Sequence, residues 1–127
     1  MTRVFDSSAV LAVIFNEHGS SNVLSLWATG DNLISAVNLC EVVSKLANVG
    51  MPQSEIQIVL ESIPLTVVAL NTSDAVESGL LLASTKPFGL SLGDRVCLNL
   101  GQQHNATIVT ADRVWSQIDG FEISLIR

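Results

Sequence analysis

Four acidic residues stand where their carboxylates could support metal-assisted chemistry. Asp6 ends a short apolar segment and Asp112 follows another by two residues, whereas Asp94 opens a helical pattern and Glu41 lies inside one. If the apolar segments are parallel strands, their carboxyl ends meet at the edge where open α/β sheets bind ligands. Oxygen ligands favour hard cations such as Mg²⁺ or Mn²⁺, which lower the pKa of a bound water and orient it toward a phosphodiester. The four acids therefore indicate metal-assisted hydrolysis.

Each acid also has an ordinary structural interpretation. An aspartate at a helix N-terminus accepts a backbone N–H and is stabilised by the helix dipole, by about 0.3–1 kcal/mol. Ser91 suits the cap of its helix better than Asp94 does. Asn38, Glu41 and Lys45 are spaced i, i+3 and i+7, so they form a polar stripe that fits either a solvated helix face or the wall of a cleft. Periodicity leaves both interpretations open.

The elements that would position these acids alternate between short apolar strands and longer amphipathic helices. Strands are predicted at residues 3–6, 32–35, 65–70, 107–110 and 122–126, the third of them buried. Helices are predicted from residue 7 to the break at 19–21, and over 22–28, 36–50, 54–62, 74–84, 93–104 and 112–118. This alternation requires crossover connections. The predicted fold is a three-layer α/β/α domain spanning residues 1–127, with a central parallel sheet of four to five strands.

The composition fits a globular protein that folds without disulfides. The chain has 127 residues, of which 48% are hydrophobic and 14% charged, and a chain of this length can bury a sizeable core. The longest apolar run, from Ala9 to Phe15, is far shorter than the ~20 residues of a membrane span, so we expect a cytoplasmic protein without membrane contact. Cys40 and Cys97 have no partners at zinc spacing and are expected to be buried, reduced thiols.

The net charge of −6, from 12 acids against 6 bases, argues at first against a nucleic-acid partner. Two divalent cations at the candidate site would change −6 to about −2. Three of the six bases, Lys45, Arg95 and Arg113, also lie within four residues of a candidate acid. The charge therefore does not exclude a nucleic-acid substrate.

Four segments, in order along nearly the whole chain, carry a family resemblance. They are Val4 to Ala9, Ile34 to Leu46, Leu90 to Leu98 and Ile108 to Trp115. Together they resemble PIN domains and, within that family, the VapC-type toxins of type II toxin–antitoxin pairs. The resemblance implies a Mg²⁺- or Mn²⁺-dependent endoribonuclease whose substrate is RNA, such as transfer RNA. It also implies a homodimer and a VapB-type antitoxin whose tail covers the cleft.

The resemblance implies roles for the four acids. Asp6, Asp94 and Asp112 would hold the metal ion directly or through water. Glu41 would complete the ligand set or help to take a proton from the attacking water. All four are expected to be catalytic.

Four further residues would assist the acids. Thr110 is the hydroxyl that accompanies the last acid in the family. Arg95 and Arg113 would contact phosphate or only neutralise their acidic neighbours. Asn38 would hydrogen-bond the substrate, support the acids or cap a helix.

The second and fourth predicted helices carry more apolar surface than short helices need. The residues concerned are Leu24, Leu26, Trp27, Val59, Leu60 and Ile63. Core packing accounts for most of this surface, and a groove for an antitoxin helix would use the rest.

Other classes of protein fit the sequence less well. A receiver domain needs a paired acid at the first strand and a lysine at a late strand, and the chain has only Asp6 and the lysine-free segment Val109 to Arg113. A haloacid-dehalogenase-like phosphatase needs Asp-x-Asp, where the chain has Ser8. A PIN-fold nuclease with a maturation or DNA-directed role and a scaffold module remain as alternatives.

Overall fold

The computed structural model describes all 127 residues and contains a five-stranded parallel sheet flanked by helices. The strands are β1 (Thr2–Phe5), β2 (Asp31–Ser35), β3 (Thr66–Val68), β4 (Thr107–Thr110) and β5 (Ile123–Leu125). The helices are α1 (Ser7–Ile14), α2 (Ser20–Trp27), α3 (Ala36–Asn48), α4 (Gln53–Ser62), α5 (Thr72–Leu80), α6 (Leu82–Thr85) and α7 (Leu92–Gln103), with 3₁₀ turns at Lys86–Phe88 and Arg113–Gln117. The predicted α/β class is confirmed.

The order of strands places β1 at the centre of the sheet. The order is β3-β2-β1-β4-β5, and every neighbouring pair is parallel. Phe5 pairs with Val109 across β1 and β4, and the Asp6 N–H donates to the Val109 carbonyl at 3.1 Å. The strand order reverses between β1 and β4, so the loops after these strands diverge there and leave room for a ligand.

The core has one part on each face of the sheet. On one side, Phe5 packs with Val42 and Leu46 of α3, both fully buried. On the other side, the preceding residue, Val4, packs with Leu98 of α7. Alternation along β1 therefore packs both helix layers against the sheet. The apolar residues spaced i, i+3, i+4 and i+7 along α3 form its core-facing side: Leu39, Val42, Val43 and Leu46.

The predicted buried strand at residues 65–70 is wrong in two respects. The structure has only the three-residue β3, and it lies at the edge of the sheet with β2 as its single neighbour. Val67 is 48% exposed. A continuous β-branched run is typical of a buried parallel strand, but the local pattern does not show whether a second neighbour exists.

The predicted helix at residues 74–84 starts earlier and is divided. Asn71 caps α5, accepting the Asp74 N–H while the Asp74 side chain accepts the Asn71 N–H. The helix ends at Leu80, and α6 forms a separate turn. The reciprocal cap satisfies two backbone groups that would otherwise lack partners.

The two cysteines differ in environment. Cys97 is fully buried, as predicted, but Cys40 is exposed. Cys40 lies two positions before buried Val42 and so faces the opposite side of α3, at about 100° per residue. No helix combines the length and the apolar character needed to cross a membrane.

Candidate active site

Asp6 lies where β1 ends and α1 begins, with its side chain only 4% exposed. Oδ1 accepts the Ala9 N–H at 2.9 Å, which makes Asp6 the N-cap of α1. The Ser8 hydroxyl lies 2.7 and 2.8 Å from the two carboxylate oxygens, and the Thr110 hydroxyl donates to Oδ2 at 2.6 Å. The structural interpretation of Asp6 is therefore correct, and the cap leaves the carboxylate at the carboxyl edge of the sheet.

Two hydroxyl groups join the ends of β1 and β4. The Asp112 N–H donates to Thr110 Oγ1 at 3.0 Å, and the Ala111 N–H donates to Ser8 Oγ at 2.9 Å. Thr110 thus contacts the carboxylate of Asp6 and the backbone of Asp112. Ser8 is a site residue that sequence reasoning missed. The sequence feature that could have identified it is a serine two positions after an aspartate at the start of a helix.

The carboxyl group of Asp6 is difficult to ionise in this structure. Burial raises its pKa from 3.8 to about 6, although the hydrogen bonds from Thr110, Ser8 and Ala9 act in the opposite direction. The negative charge of Asp94 raises the pKa further. No cationic side chain compensates, because the only ion pair joins Arg127 to Glu17 at 3.2 Å. The carboxylate of Asp6 is therefore a buried negative charge without a counter-ion.

Asp94 lies in the first turn of α7. Its Oδ2 accepts the Ser91 N–H at 2.9 Å, and its own N–H donates to Ser91 Oγ at 3.2 Å. The prediction that Ser91 caps this helix is confirmed. Three residues later, burial raises the pKa of the Cys97 thiol, with further contributions from the charges of Asp6, Asp94 and Glu41. The charges of these three acids therefore act on the same buried thiol.

Glu41 is held by its neighbour one turn earlier on α3. Asn38 donates from Nδ2 to Glu41 Oε1 at 2.8 Å and to the Gly93 carbonyl at 3.1 Å. Asn38 is 1% exposed, so it supports Glu41 and cannot reach a substrate. It is not the cap of α3, because Ser35 takes that role by accepting the Asn38 N–H at 3.0 Å.

Asp112 is the most exposed of the four acids. Its Oδ1 accepts the Val114 N–H at 3.2 Å and caps the 3₁₀ turn that follows β4. Its link to Asp6 runs through Thr110. Asp112 thus lies at the same edge of the sheet and shares the Thr110 hydroxyl with Asp6.

The basic residues near the acids do not neutralise them by contact. Arg113 donates from Nη1 to the Arg127 carbonyl at 2.7 Å, and the buried Nε of Arg95 has no partner. Neither Arg95, Arg113 nor Lys45 forms an ion pair. Neither arginine therefore neutralises an adjacent acid through a direct ion pair.

The acids supply the oxygen donors that a divalent cation prefers, but they do not form a complete set of ligands. No three histidine, cysteine or acidic side chains form a group that could hold a metal ion. However, Mg²⁺ is commonly bound by one or two carboxylates and keeps several waters. The uncompensated carboxylate of Asp6, close to that of Asp94, provides oxygen donors of this kind. The residues present therefore fit a hard cation that few protein atoms coordinate.

Solved structures with this fold include chains of VapBC and FitAcB. One such structure is VapBC2 from Rickettsia felis bound to a promoter DNA fragment. Its matching chain has a TM-score of 0.79 and 17% identity to this protein, and the match covers 98% of each chain. DNA-bound VapBC from Salmonella typhimurium has a TM-score of 0.77 at 18% identity, covering 100% of this chain and 99% of that one. FitAcB from Neisseria gonorrhoeae has a TM-score of 0.72 at 15% identity, covering 98% and 97%.

The sequence itself identifies the family. No curated protein sequence matches the chain. The family model of the PIN domain, in contrast, matches residues 3–121, which include all four candidate acids, strands β2, β3 and β4, and all of β1 but its first residue. The chain therefore belongs to the PIN domain family.

Proposed function

We propose that the protein is a divalent-metal-dependent endoribonuclease and the toxin of a toxin–antitoxin pair that acts in the cytoplasm. PIN domains are nucleases, which supports hydrolysis of a phosphodiester bond. The observation that carries the proposal is the Asp6 carboxylate, buried without a counter-ion at the edge where β1 and β4 diverge. A bound cation would compensate this charge.

Each of the four acids has a role in this proposal. Asp6, Asp94 and Asp112 would hold Mg²⁺ or Mn²⁺ directly or through water, and the ion would supply a water of lowered pKa and stabilise charge on the phosphate. Glu41 accepts a proton from the attacking water at Oε2, because Oε1 already accepts from Asn38.

The basic side chains favour a substrate with phosphate groups. Arg95 makes no ion pair and follows Asp94 directly, so its guanidinium is free to bind a phosphate oxygen. Arg113 also contacts phosphate once it leaves the Arg127 carbonyl. Because the chain has only 6 bases and a net charge of −6, we expect its affinity for RNA to depend strongly on bound metal and on salt concentration.

Cleavage of total cellular RNA by the purified protein tests the proposal. With Mn²⁺ or Mg²⁺ we expect discrete products, and EDTA, Asp6→Asn or Asp94→Asn should abolish them. Asp31→Asn, an exposed acid at the start of β2, is the matched control and should cleave normally. Sequencing the product ends would identify the RNA. Cleavage of DNA alone, or no cleavage by folded protein with metal present, would contradict the proposal.

A groove between α1, α2 and α4 supports an antitoxin partner. It has a volume of about 540 Å³ and its lining includes Val13, Leu24, Trp27, Val59 and Ile63. Leu24 is 52% exposed, and the buried Nε1 of Trp27 has no hydrogen-bond partner. An amphipathic antitoxin helix would fill this groove with its apolar face.

Co-expression tests the antitoxin groove. The partner would be a small protein with a DNA-binding head, encoded in the adjacent reading frame. Leu24→Glu should prevent its co-purification, whereas Leu82→Glu, at a leucine that is 50% exposed on α6, should not. Equal recovery with both variants would exclude the groove as the antitoxin site.

The exposed face of α5 supports a homodimer. Val76 and Leu80 are four residues apart on one face of this helix and are 56% and 74% exposed. A second copy of the chain would cover them. We expect a dimer by light scattering and a monomer for Leu80→Glu. Ile58→Glu, at an exposed position of α4, is the control, and a monomeric wild-type protein would refute the assignment.

A further inference from the structure

The carboxylate of Glu41 lies in a cradle made by three residues from different elements. Ser35 ends β2, Asn38 is in the first turn of α3, and Gly93 is in the first turn of α7. Asn38 bonds both Glu41 Oε1 and the Gly93 carbonyl. These three residues, called the Glu41 cradle below, thus connect the sheet, α3 and α7 at one point.

The hydrogen-bonding groups of Asn38 are fully used inside the cradle. Its two Nδ2 protons go to Glu41 at 2.8 Å and Gly93 at 3.1 Å, and its Oδ1 accepts from the Ser35 hydroxyl. Asn38 and Ser35 are 1% and 3% exposed. With no free donor and no exposed surface, Asn38 can act only through the groups that it holds.

Gly93 leaves the space that the carboxylate occupies. A Cβ at this position would lie 2.5 Å from Glu41 Oε2 and 2.7 Å from both Cδ and Oε1. Gly93 does not have a positive φ, and glycine inside a helix costs about 1 kcal/mol relative to alanine. The close approach of Glu41 therefore explains the glycine, whereas backbone conformation does not.

A different position is open to Glu41 when the cradle is absent. Lys45 follows four residues later on the exposed side of α3, at the spacing where glutamate and lysine pair along a helix. The structure shows no such ion pair. The hydrogen bond from Asn38 thus holds Glu41 against α7 and away from Lys45.

We propose that Ser35, Asn38 and Gly93 are positioning residues that fix the Glu41 carboxylate against the start of α7, with Oε2 left without a hydrogen-bond partner. The effect of the cradle on catalysis rests on the proposed function, whereas its effect on the position of the Glu41 side chain does not. Residues that orient catalytic or metal-binding groups typically change activity or metal affinity by about 10–100-fold when replaced.

Two variants disturb the cradle from opposite sides. Asn38→Ala removes the donor to Glu41, and Gly93→Ala fills the space of the carboxylate while leaving Asn38 intact. The matched controls are Asn48→Ala, at an exposed asparagine of α3, and Gly79→Ala, at a helical glycine with nothing within 4 Å of an added Cβ. Because the two variants act independently, misfolding of one leaves the other as a test.

Crystal structures of the metal-free variants provide a readout that does not need activity. We expect the Glu41 side chain to leave Gly93 in both cradle variants and to stay in both controls. If Glu41 keeps its position in both cradle variants, the inference is overturned. This result stands whether or not the wild-type protein cleaves RNA, so failure of the proposed function is recognised separately.

A double-mutant cycle then tests whether the cradle acts through Glu41. We expect Asn38→Ala to lower kcat by about 10–100-fold with little change in KM, and to have no further effect in a Glu41→Gln background. Losses that multiply in the double variant would show that Asn38 acts by another route and would refute the inference.

Discussion

The buried carboxyl of Asp6 predicts a protein whose stability falls as the pH rises when no cation is bound. The pKa of this group is about 6 in the folded chain against an ordinary value of 3.8. The unfolded chain therefore releases the proton first, and between about pH 4 and pH 6 a rise in pH favours unfolding. Below this window both states are protonated, and above it the loss of stability is complete.

The size of the effect follows from the shift. An increase from 3.8 to about 6 corresponds to about 3 kcal/mol of lost stability at about 1.4 kcal/mol per pKa unit. The whole stability of a domain is only about 5–15 kcal/mol. Asp6→Asn removes the charge and keeps an oxygen to accept the Ala9 N–H. The variant should therefore be more stable than the wild-type protein near pH 7 by up to about 3 kcal/mol and similar to it near pH 4.

Urea unfolding followed by circular dichroism, in EDTA at pH values between about 4 and 7, measures this difference. Asp31→Asn is the control, and its stability relative to the wild-type protein should hardly vary with pH. Adding Mn²⁺ near pH 7 should restore stability to the wild-type protein but much less to Asp6→Asn. If the gap between Asp6→Asn and the wild-type protein were independent of pH, the argument from burial would be refuted.

Three further results are expected. Cys40 should react with a thiol reagent in the folded protein and Cys97 only after denaturation, because burial raises the Cys97 pKa well above 9.0; two fast-reacting thiols would contradict this. Gly101→Ala should lower thermal stability by about 1–3 kcal/mol, because its Cβ would collide with the Ile108 side chain; an unchanged melting temperature would contradict the packing. Ser8→Ala leaves the Ala111 N–H after β4 unpaired and should lower the free energy of unfolding, measured in urea, by about 1–3 kcal/mol. The same variant should also cleave RNA more slowly.

The layers and most elements were predictable because each depends on local pattern. The stripe from Leu39 to Leu46 indicated one buried face of a helix, and Ser91 three residues before Asp94 indicated a helix start. The position of Asp6 at the carboxyl edge followed from parallel strands alone. The exposure of β3 could not be predicted, since being an edge strand depends on the order of strands and not on the apolar run itself.

The finer contacts of the site were not predictable, because they join residues distant in sequence. Ser8 meets the backbone of Ala111 only after β1 and β4 pair in register. Asn38 likewise meets Gly93 only when α3 and α7 pack together. From the sequence, Gly93 looked like an ordinary helix-start residue, and its relation to Glu41 is visible only in three dimensions.

The structural use of Asp6 and Asp112 as N-caps, and of Asp94 as the partner of the Ser91 cap, has a consequence for how this protein can evolve. Each side chain accepts a backbone N–H at the start of a helix or turn, so selection for folding acts on these positions even when selection for cleavage is lost. Asparagine and serine can accept the same bonds, whereas alanine cannot. Copies that drift after losing activity should therefore accumulate asparagine or serine at these positions well before alanine.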